Sequence, residues 1–513
     1  MRVSRSAIRV TRRAAAAWCA CILAACKSVG PNFSPPHEAV PEQYAGAAAD
    51  AAHPPAQGAS GPRPNSNADP ESFWWQQFHD ADLNRLQSQA AAGNLDLRAA
   101  FFRIIESRLQ VESARAQGLP SLNAAASFTR EQLGAAGILK TEGFGSGSTT
   151  SAATQQLISG IEAPVNVYQL GFDASWELDL FGKVRRSVEV ADAQSAGAVE
   201  SRNDVLVSLE AEVAETYLQL RAAQVLKDTT LQEIAAQRDV FNLTANRHQH
   251  GLAGEVDVEA ARAQLSSLSS QLPGYDQTIA TSKHALAVLT GQEPEALDAQ
   301  FGTTAELPAP PAEVPVGLPS TLARRRPDIR SSEAALHAAT ASIGVAVASL
   351  FPDISLAGSY GLRNLGTRYL LDWSSHFYTF GPSVSIPIFH GGALVASVRL
   401  SRAQAAEAAA NYRKTVLGAL QEVEDGLSSL NEDALRNAAL RETVGADQRA
   451  YDVDMNAYRH GLISYIDVLT LQLQTLQARQ QLAQALLTQS TDLVKLYKAL
   501  GGGWESAPVS AAQ

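Results

Sequence analysis

Few side chains in this sequence are placed to do chemistry. They fall in two places: a thiol near the start, and polar residues at two glycine turns far along the chain. The three cysteines are Cys19, Cys21 and Cys26, and Cys26 closes the run Leu23-Ala24-Ala25-Cys26. Small residues before the cut suit a signal peptidase pocket, and a thiol at the new N-terminus is a nucleophile that can take an acyl chain. After that cut only Cys26 remains, so the mature chain is expected to hold no disulfide, no thiol catalysis and no Cys-based metal site. The ten histidines show no zincin or triad spacing. His248 and His250 stand at a helix end, where solvation is the expectation. No catalytic set and no metal site is therefore assigned.

The turn residues do a different kind of work. Gly251 and Gly461 stand where a left-handed C-terminal cap is required, a conformation open to glycine at little cost. Ser464 caps the next helix and Asp467, three residues on, completes a capping-box-like pattern. Asp257 holds the same place after Gly254 in the earlier turn. The plain role of both carboxylates is to cap helices and complement the helix dipole.

The N-terminus carries its own logic. Arg2, Arg5, Arg9, Arg12 and Arg13 form a basic stretch without an acid, and the apolar run Ala14–Ala25 is shorter than the roughly 20 residues of a membrane-spanning helix. With Leu23–Cys26 this resembles a lipoprotein signal, and Lys27, where an Asp would retain the protein, implies onward sorting to the outer membrane. The expected cofactor inventory is thus none beyond the covalent lipid on Cys26, with further insertion needed for stable anchoring. The formal charge is −11; without the five arginines, 36 basic residues face 52 acidic ones, a net −16. That balance argues against nucleic acid, which needs a basic face.

Two copies of one unit account for most of the chain. Glu212-Val213, Gly251-Leu252, Asp257-Val258 and Gly291 recur as Glu422-Val423, Gly461-Leu462, Asp467-Val468 and Gly501, all 210 residues on. Upstream, Asp96-Leu97-Arg98 and Leu119-Pro120 recur 232 residues on, as Asp328-Ile329-Arg330 and Phe351-Pro352. The first copy therefore carries 22 extra residues, which include the Gly/Ser/Thr run 141–150, an exposed loop by composition.

Each copy reads as helix, strand, loop, strand, very long helix, glycine turn and shorter helix. Phe172, Ala174, Trp176, Leu178 and Leu180 alternate with Asp173, Ser175, Glu177 and Asp179. Leu122, Ala124, Ala126 and Phe128 alternate with Ser121, Asn123, Ala125 and Ser127. In the second copy Ile354, Leu356, Gly358, Tyr360 and Leu362, then Phe380, Pro382, Val384, Ile386 and Ile388, repeat the pattern. Such runs fit a transmembrane strand, and equally a half-buried strand of a soluble sheet. Four strands cannot close a barrel, because the smallest membrane barrels need about 8, and open edges are not tolerated in lipid. If the strands span a membrane, several chains must build the barrel. The span from Gly182 to Arg247 lacks proline and would reach roughly 95 Å as a helix. Val199, Leu206, Val213 and Leu220, then Val416, Leu420, Val423, Leu427 and Leu430, then Leu462, Ile466, Leu469, Leu473 and Leu476 follow coiled-coil spacing.

Several motifs, in order, make a resemblance specific. They are Trp75-Gln76-Gln77-Phe78 with Asp80 and Leu83, Leu119-Pro120-Ser121-Leu122, Trp176 to Gly182, Arg325-Arg326-Pro327-Asp328-Ile329, Phe351-Pro352-Asp353-Ile354, Pro387-Ile388-Phe389, and Tyr497 to Trp504. Across nearly the whole mature chain the sequence resembles the lipoprotein branch of the TolC-like outer-membrane factors, the exit ducts of resistance–nodulation–division (RND) efflux systems. The resemblance implies a mainly α fold with transmembrane β: a homotrimer whose 12-stranded barrel, four strands per chain, continues into a long helical coiled-coil barrel. It implies a periplasmic adaptor and an inner-membrane pump as partners. It also implies a periplasmic aperture, with Tyr458 and Asp467 at the matching positions. Ile463 stands where some members carry an Arg, and Thr470 where a second Asp often lies. The acid ring is then thinner, with Asp257 or Arg459 as candidates to share in closure.

On this reading residues 1–25 are a signal peptide and 26–80 a tether and equatorial segment. The first copy spans 81–291, a linker 292–320, the second copy 321–501 and a tail 502–513. Strands are expected near 119–129, 166–181, 351–362 and 378–389, long helices over 183–248 and 392–459, and closing helices over 255–290 and 464–500. A protein-secretion duct is an alternative within the same class. A periplasmic coiled-coil scaffold fits less well, because it leaves the paired amphipathic strands without a role. No reactive constellation suggests an enzyme.

Overall fold

The computed structural model describes residues 28–36, 40–46, 62–66, 68, 71–132, 164–302 and 306–506. The signal segment, Cys26, the 141–150 loop, part of the 26–80 tether segment and the end of the tail lie outside the described residues. The helices are α1 (Ala81–Gly93), α2 (Leu95–Ala116), α3 (Lys183–Gln249), α4 (Glu255–Leu289), α5 (Pro319–Arg325), α6 (Pro327–Ala348), α7 (Ala393–Arg459) and α8 (Tyr465–Ala499). The strands are β1 (Arg63–Asn65), β2 (Ser121–Glu131), β3 (Val165–Glu177), β4 (Glu313–Pro315), β5 (Asp353–Asn364) and β6 (His376–Ser385). The chain divides into two units. One takes Met1–Ser34, Arg108–Ala193 and His337–Ala406; the other takes Pro35–Ser107, Gln194–Leu336 and Glu407–Gln513.

The first unit holds an antiparallel sheet of order β2-β3-β5-β6. Its register sorts the side chains onto two faces. Leu122 lies opposite Ala174, Phe128 opposite Tyr168, Phe172 opposite Tyr360 and Gly358 opposite Phe380, which makes one face apolar. Asn123 lies opposite Asp173, Ser127 opposite Gln169 and Ser359 opposite Thr379, which makes the other polar. The apolar face is bare: Phe380 is 72% exposed and Tyr378 75%. β2 and β6 are each paired along one side only among the described strands.

Two strands end sooner than their alternation suggests. β3 stops at Glu177 because the chain turns at Gly182 (φ +85°) and Asp179 takes the backbone N–H of Arg185 at 3.0 Å. β6 runs His376–Ser385, short of Ile386 and Ile388, and Pro387 has no N–H to extend the ladder. Buried Arg186 secures the segment after Cys26: its guanidinium donates to Val29 O at 3.1 Å and to Asn32 Oδ1 at 2.7 Å, and pairs with Glu189. Phe33 stacks on His337, with ring centroids 4.4 Å apart.

The second unit has a core of long-helix residues. Leu206, Val213 and Leu220 are fully buried, as are Val423 and Leu430. The last apolar stripe behaves otherwise. Leu462, Ile466 and Leu473 are exposed, whereas Tyr465, Val468, Thr475 and Ala478 form the buried face of α8. Coiled-coil spacing marks a face that can meet another helix, and it does not say which neighbour fills it.

The leading helix of each copy is broken in two. In the first copy Asn94 takes extended backbone and its side chain accepts the N–H of Leu97. In the second, Arg326 stands at the break before Pro327. The two breaks are equivalent in detail. Asn94 Nδ2 donates to Leu289 O at 2.9 Å, and Arg326 Nη1 donates to Ala499 O at 2.8 Å, each carbonyl being 210 residues from the other. Arg326 is buried and pairs with Asp328 and Glu422.

Around these breaks the aromatic motifs meet. Trp74 stacks on Tyr497 at 5.0 Å, and Trp504 Nε1 donates to Arg325 O at 2.9 Å. One feature had no sequence signal. Part of the expected tether, Arg63–Asn65, pairs in parallel with Glu313–Pro315.

Candidate functional site

The two glycine turns close as the sequence suggests. Gly251 (φ +73°) and Gly461 (φ +77°) are left-handed. At the first, Leu252 N donates to Arg247 O and Gly251 N to His248 O, both at 2.8 Å. At the second, Leu462 N donates to Ala457 O at 3.0 Å and Gly461 N to Tyr458 O at 2.9 Å. This 6→1, 5→2 pair is the Schellman motif, and it satisfies carbonyls that each helix would leave open. The next helices start alike. Asp257 Oδ2 accepts the N–H of Gly254 and Asp467 Oδ2 that of Ser464, both at 3.1 Å. Ser464 Oγ also donates to Asp467, at 2.8 Å. Both carboxylates are therefore capping groups, while Asp467 remains exposed to solvent.

Tyr458 is not an open aperture residue within its own chain. It is 3% exposed and belongs to a core with Val240, Ala261, Met455, Tyr465 and Val468, against which Ile463 packs. Its hydroxyl meets Thr244 Oγ1 at 2.9 Å, and Thr244 Oγ1 lies at 2.9 Å from Val240 O. A threonine hydroxyl has one proton. If Thr244 gives it to Val240 O, Tyr458 Oη must donate to Thr244. Arg247 Nη1 donates to Tyr458 O at 2.6 Å, and its guanidinium lies 4.7 Å from the Tyr458 ring centre. α3 and α7 are thus tied together within the two turns before the glycines.

A second tie lies further along the helices. Gln237 Nε2 donates to Tyr465 Oη at 2.9 Å and to Ala261 O at 3.2 Å, while Gln472 Nε2 donates to Gln237 Oε1 at 2.7 Å. Burial pushes the Tyr465 hydroxyl above its ordinary range. Arg479 then joins Glu233 at 3.1 Å to Gln448 at 2.6 Å. Burial also raises the Glu233 carboxyl, against the pull of Arg479.

The remaining candidates stand apart from these ties. Arg459 is exposed on the last turn of α7. Thr470 is exposed, and its hydroxyl returns to its own helix at Ile466 O, 3.0 Å. His248 Nδ1 lies 3.0 Å from Ala253 O, inside the turn. Sequence reasoning missed Thr244, Arg247, Gln237 and Tyr465. A signal existed: at 210 residues' offset these positions hold Asp454, Ala457, Asp447 and Glu255, so the ties lie where the two copies differ in chemistry.

The comparisons agree with this architecture. A sequence model described as outer membrane efflux protein matches residues 86–292 and 318–502. The chain is 33% identical over 435 residues to the probable efflux pump outer membrane protein TtgC of Pseudomonas putida, covering 85% of this chain and 86% of the relative. It is 29% identical over 503 residues to nodulation protein T of Rhizobium leguminosarum, covering 97% and 95%. The outer-membrane channel OprN superposes with a TM-score of 0.80 at 31% identity, covering 93% of this chain and 99% of that one. The open state of the Neisseria gonorrhoeae MtrE outer membrane channel gives 0.74 at 26%, covering 93% and 99%. With the family's sequence pattern in both copies and the channel fold along nearly the whole chain, this protein belongs to the outer membrane efflux protein family.

Proposed function

We propose that this outer-membrane efflux channel is the passive exit duct of a tripartite pump, assembled as a homotrimer and anchored by a lipid on Cys26. The observation that carries the reading is the four-stranded sheet with one bare apolar face, one polar face and, among the described strands, two unpaired edges. An open edge in lipid leaves backbone groups unsatisfied, so β2 and β6 need partners, and three copies supply a closed 12-stranded barrel. The exposed stripe Leu462, Ile466 and Leu473 supports contact with a further helix.

At both tips, Leu252 and Val256 in the first copy and Leu462 and Ile466 in the second are exposed at equivalent positions. These paired apolar tips suit the hairpins of a periplasmic adaptor, through which an RND-type inner-membrane pump supplies the energy. The Arg186 clasp on Val29 and Asn32 supports an anchor at Cys26, close in sequence to the sheet-bearing unit. Relatives named for toluene and for antibiotic efflux point to small toxic compounds as cargo.

In this reading Asp467 is the selective carboxylate of the aperture, and Asp257 remains a cap. Purified trimer in planar bilayers tests it. Asp467→Asn keeps an acceptor for the Ser464 N–H and removes the charge, so cation preference should fall. The same substitution at Asp257 should change selectivity less. Equal effects at both, or none at Asp467, would remove Asp467 from the aperture.

A further inference from the structure

On the polar face of the sheet most side chains are small or hydrogen-bonding: Ser121, Asn123, Ser127, Ser355, Ser359, Thr379 and Ser383. Phe377 breaks that rule. It sits directly opposite Gly361, half-buried, on the face that alternation assigns to water. Arg363 lies over it, with its guanidinium carbon 4.7 Å from the ring centre. Arg363 Nε and Nη2 both donate to Gln169 Oε1, at 2.9 and 2.7 Å, and Gln169 is its cross-strand partner. Three strands therefore hold one guanidinium in place while leaving it exposed.

The backbone beneath is specialised as well. Gly171 pairs with Gly361. A Cβ on Gly361 would stand 2.3 Å from Leu170 O and 2.6 Å from Gly171 Cα, and one on Gly171 would stand 2.7 Å from Tyr360 O. A Cβ at either position would meet backbone, so the two strands approach closely here, with an aromatic laid across from a glycine. The charge on this face is also sorted. Asp173, Glu177 and Asp353 lie toward the strand ends that lead into helices, with Lys183 on Glu177 and Asp353. Arg363 lies toward the opposite ends, which carry the turns of Thr367–Tyr369 and Trp373–Ser375. Glu131 is the other charge at that end of the polar face, and no ion pair joins it to Arg363 among the described residues.

We propose that Arg363, braced by Phe377 and Gln169, is the ion-selecting residue of the pore's outer end. The inference rests on the trimeric-barrel reading above. Three copies would place three fixed guanidinium groups in the lumen, favouring anionic solutes and opposing cations at the exterior end. A guanidinium held by stacking and by two N–H groups on one amide oxygen is already oriented, so its charge acts on a passing ion without first being ordered.

The test uses the full chain in planar bilayers under a KCl gradient. Arg363→Gln should raise the K⁺/Cl⁻ permeability ratio about 2-fold or more, and more strongly at low salt, where screening is weaker. Arg363→Lys keeps the charge but loses the paired donors and the stack, so its ratio should fall between wild type and Arg363→Gln, which separates charge from bracing. Phe377→Ala should shift selectivity in the same direction as Arg363→Gln, since it frees the guanidinium. Arg368→Gln, an equal loss of charge in the adjoining turn, serves as control. An unchanged ratio in Arg363→Gln, or one no larger than in Arg368→Gln, overturns the assignment while the pore reading stands. A wild-type chain that forms no pore at all refutes that reading, and the proposal with it.

Discussion

The tie between α3 and α7 makes an asymmetric prediction. Thr244→Val is nearly isosteric, but it leaves the buried Tyr458 hydroxyl without its partner at 2.9 Å. An orphaned buried hydroxyl costs about 1–3 kcal/mol. Tyr458→Phe removes the other member. Thr244 then keeps Val240 O, so the loss should be only about 0.5–1.5 kcal/mol. With both substitutions no polar group is stranded, so the double variant should resemble Tyr458→Phe alone and show strong coupling. Arg247 still holds Tyr458 O, so the tie should loosen rather than fail. If the tie stabilises the closed arrangement of the helix ends, a loss of about 1–3 kcal/mol raises the open-to-closed ratio about 5–150-fold. Single-channel open probability in bilayers measures this directly. Thr244→Val at wild-type open probability, or a double variant whose effect equals the sum of the singles, would refute the reasoning.

Two further outcomes follow from other parts of the molecule. Cys26→Ser should abolish incorporation of labelled fatty acid and reduce membrane retention, and undiminished labelling would exclude the thiol as the acylation site. Burial holds the Glu210 carboxyl well above the ordinary carboxylate range, with Arg202 opposing. The folded state therefore keeps this proton when the unfolded chain has lost it, and stability falls as pH rises from about 4 toward the raised value. Glu210→Gln should flatten that dependence and raise Tm at neutral pH. A Tm-against-pH slope equal to wild type would show that Glu210 does not set it.

Much of the architecture was readable because it is periodic. A period of two over ten residues, a seven-residue stripe and a constant offset of 210 are patterns that local sequence must keep if strands, helices and a repeat are to form. Glycines at 251 and 461 were readable for a steric reason: positive φ excludes most other residues. Ends of elements were less legible. Asp179 and Pro387 stop two strands whose apolar alternation runs on past them, and Asn94 breaks a helix by capping its own successor. The candidate aperture residues were legible only in outline. Asp467 and Asp257 look alike in sequence and cap alike in the fold, whereas Tyr458, placed by resemblance at an opening, is buried against Thr244 and Arg247.

By itself the sequence determined the duplication, the strand and helix periods and the glycine turns, because each depends on residues close together in the chain. Tertiary structure decided which apolar stripe of α8 is buried, which hydroxyl meets Tyr458 and what rests on Phe377. Those choices depend on partners from Arg363 and Phe377, 14 residues apart, to Thr244 and Tyr458, 214 apart. No local period encodes which of two suitable faces a neighbouring helix or strand will cover.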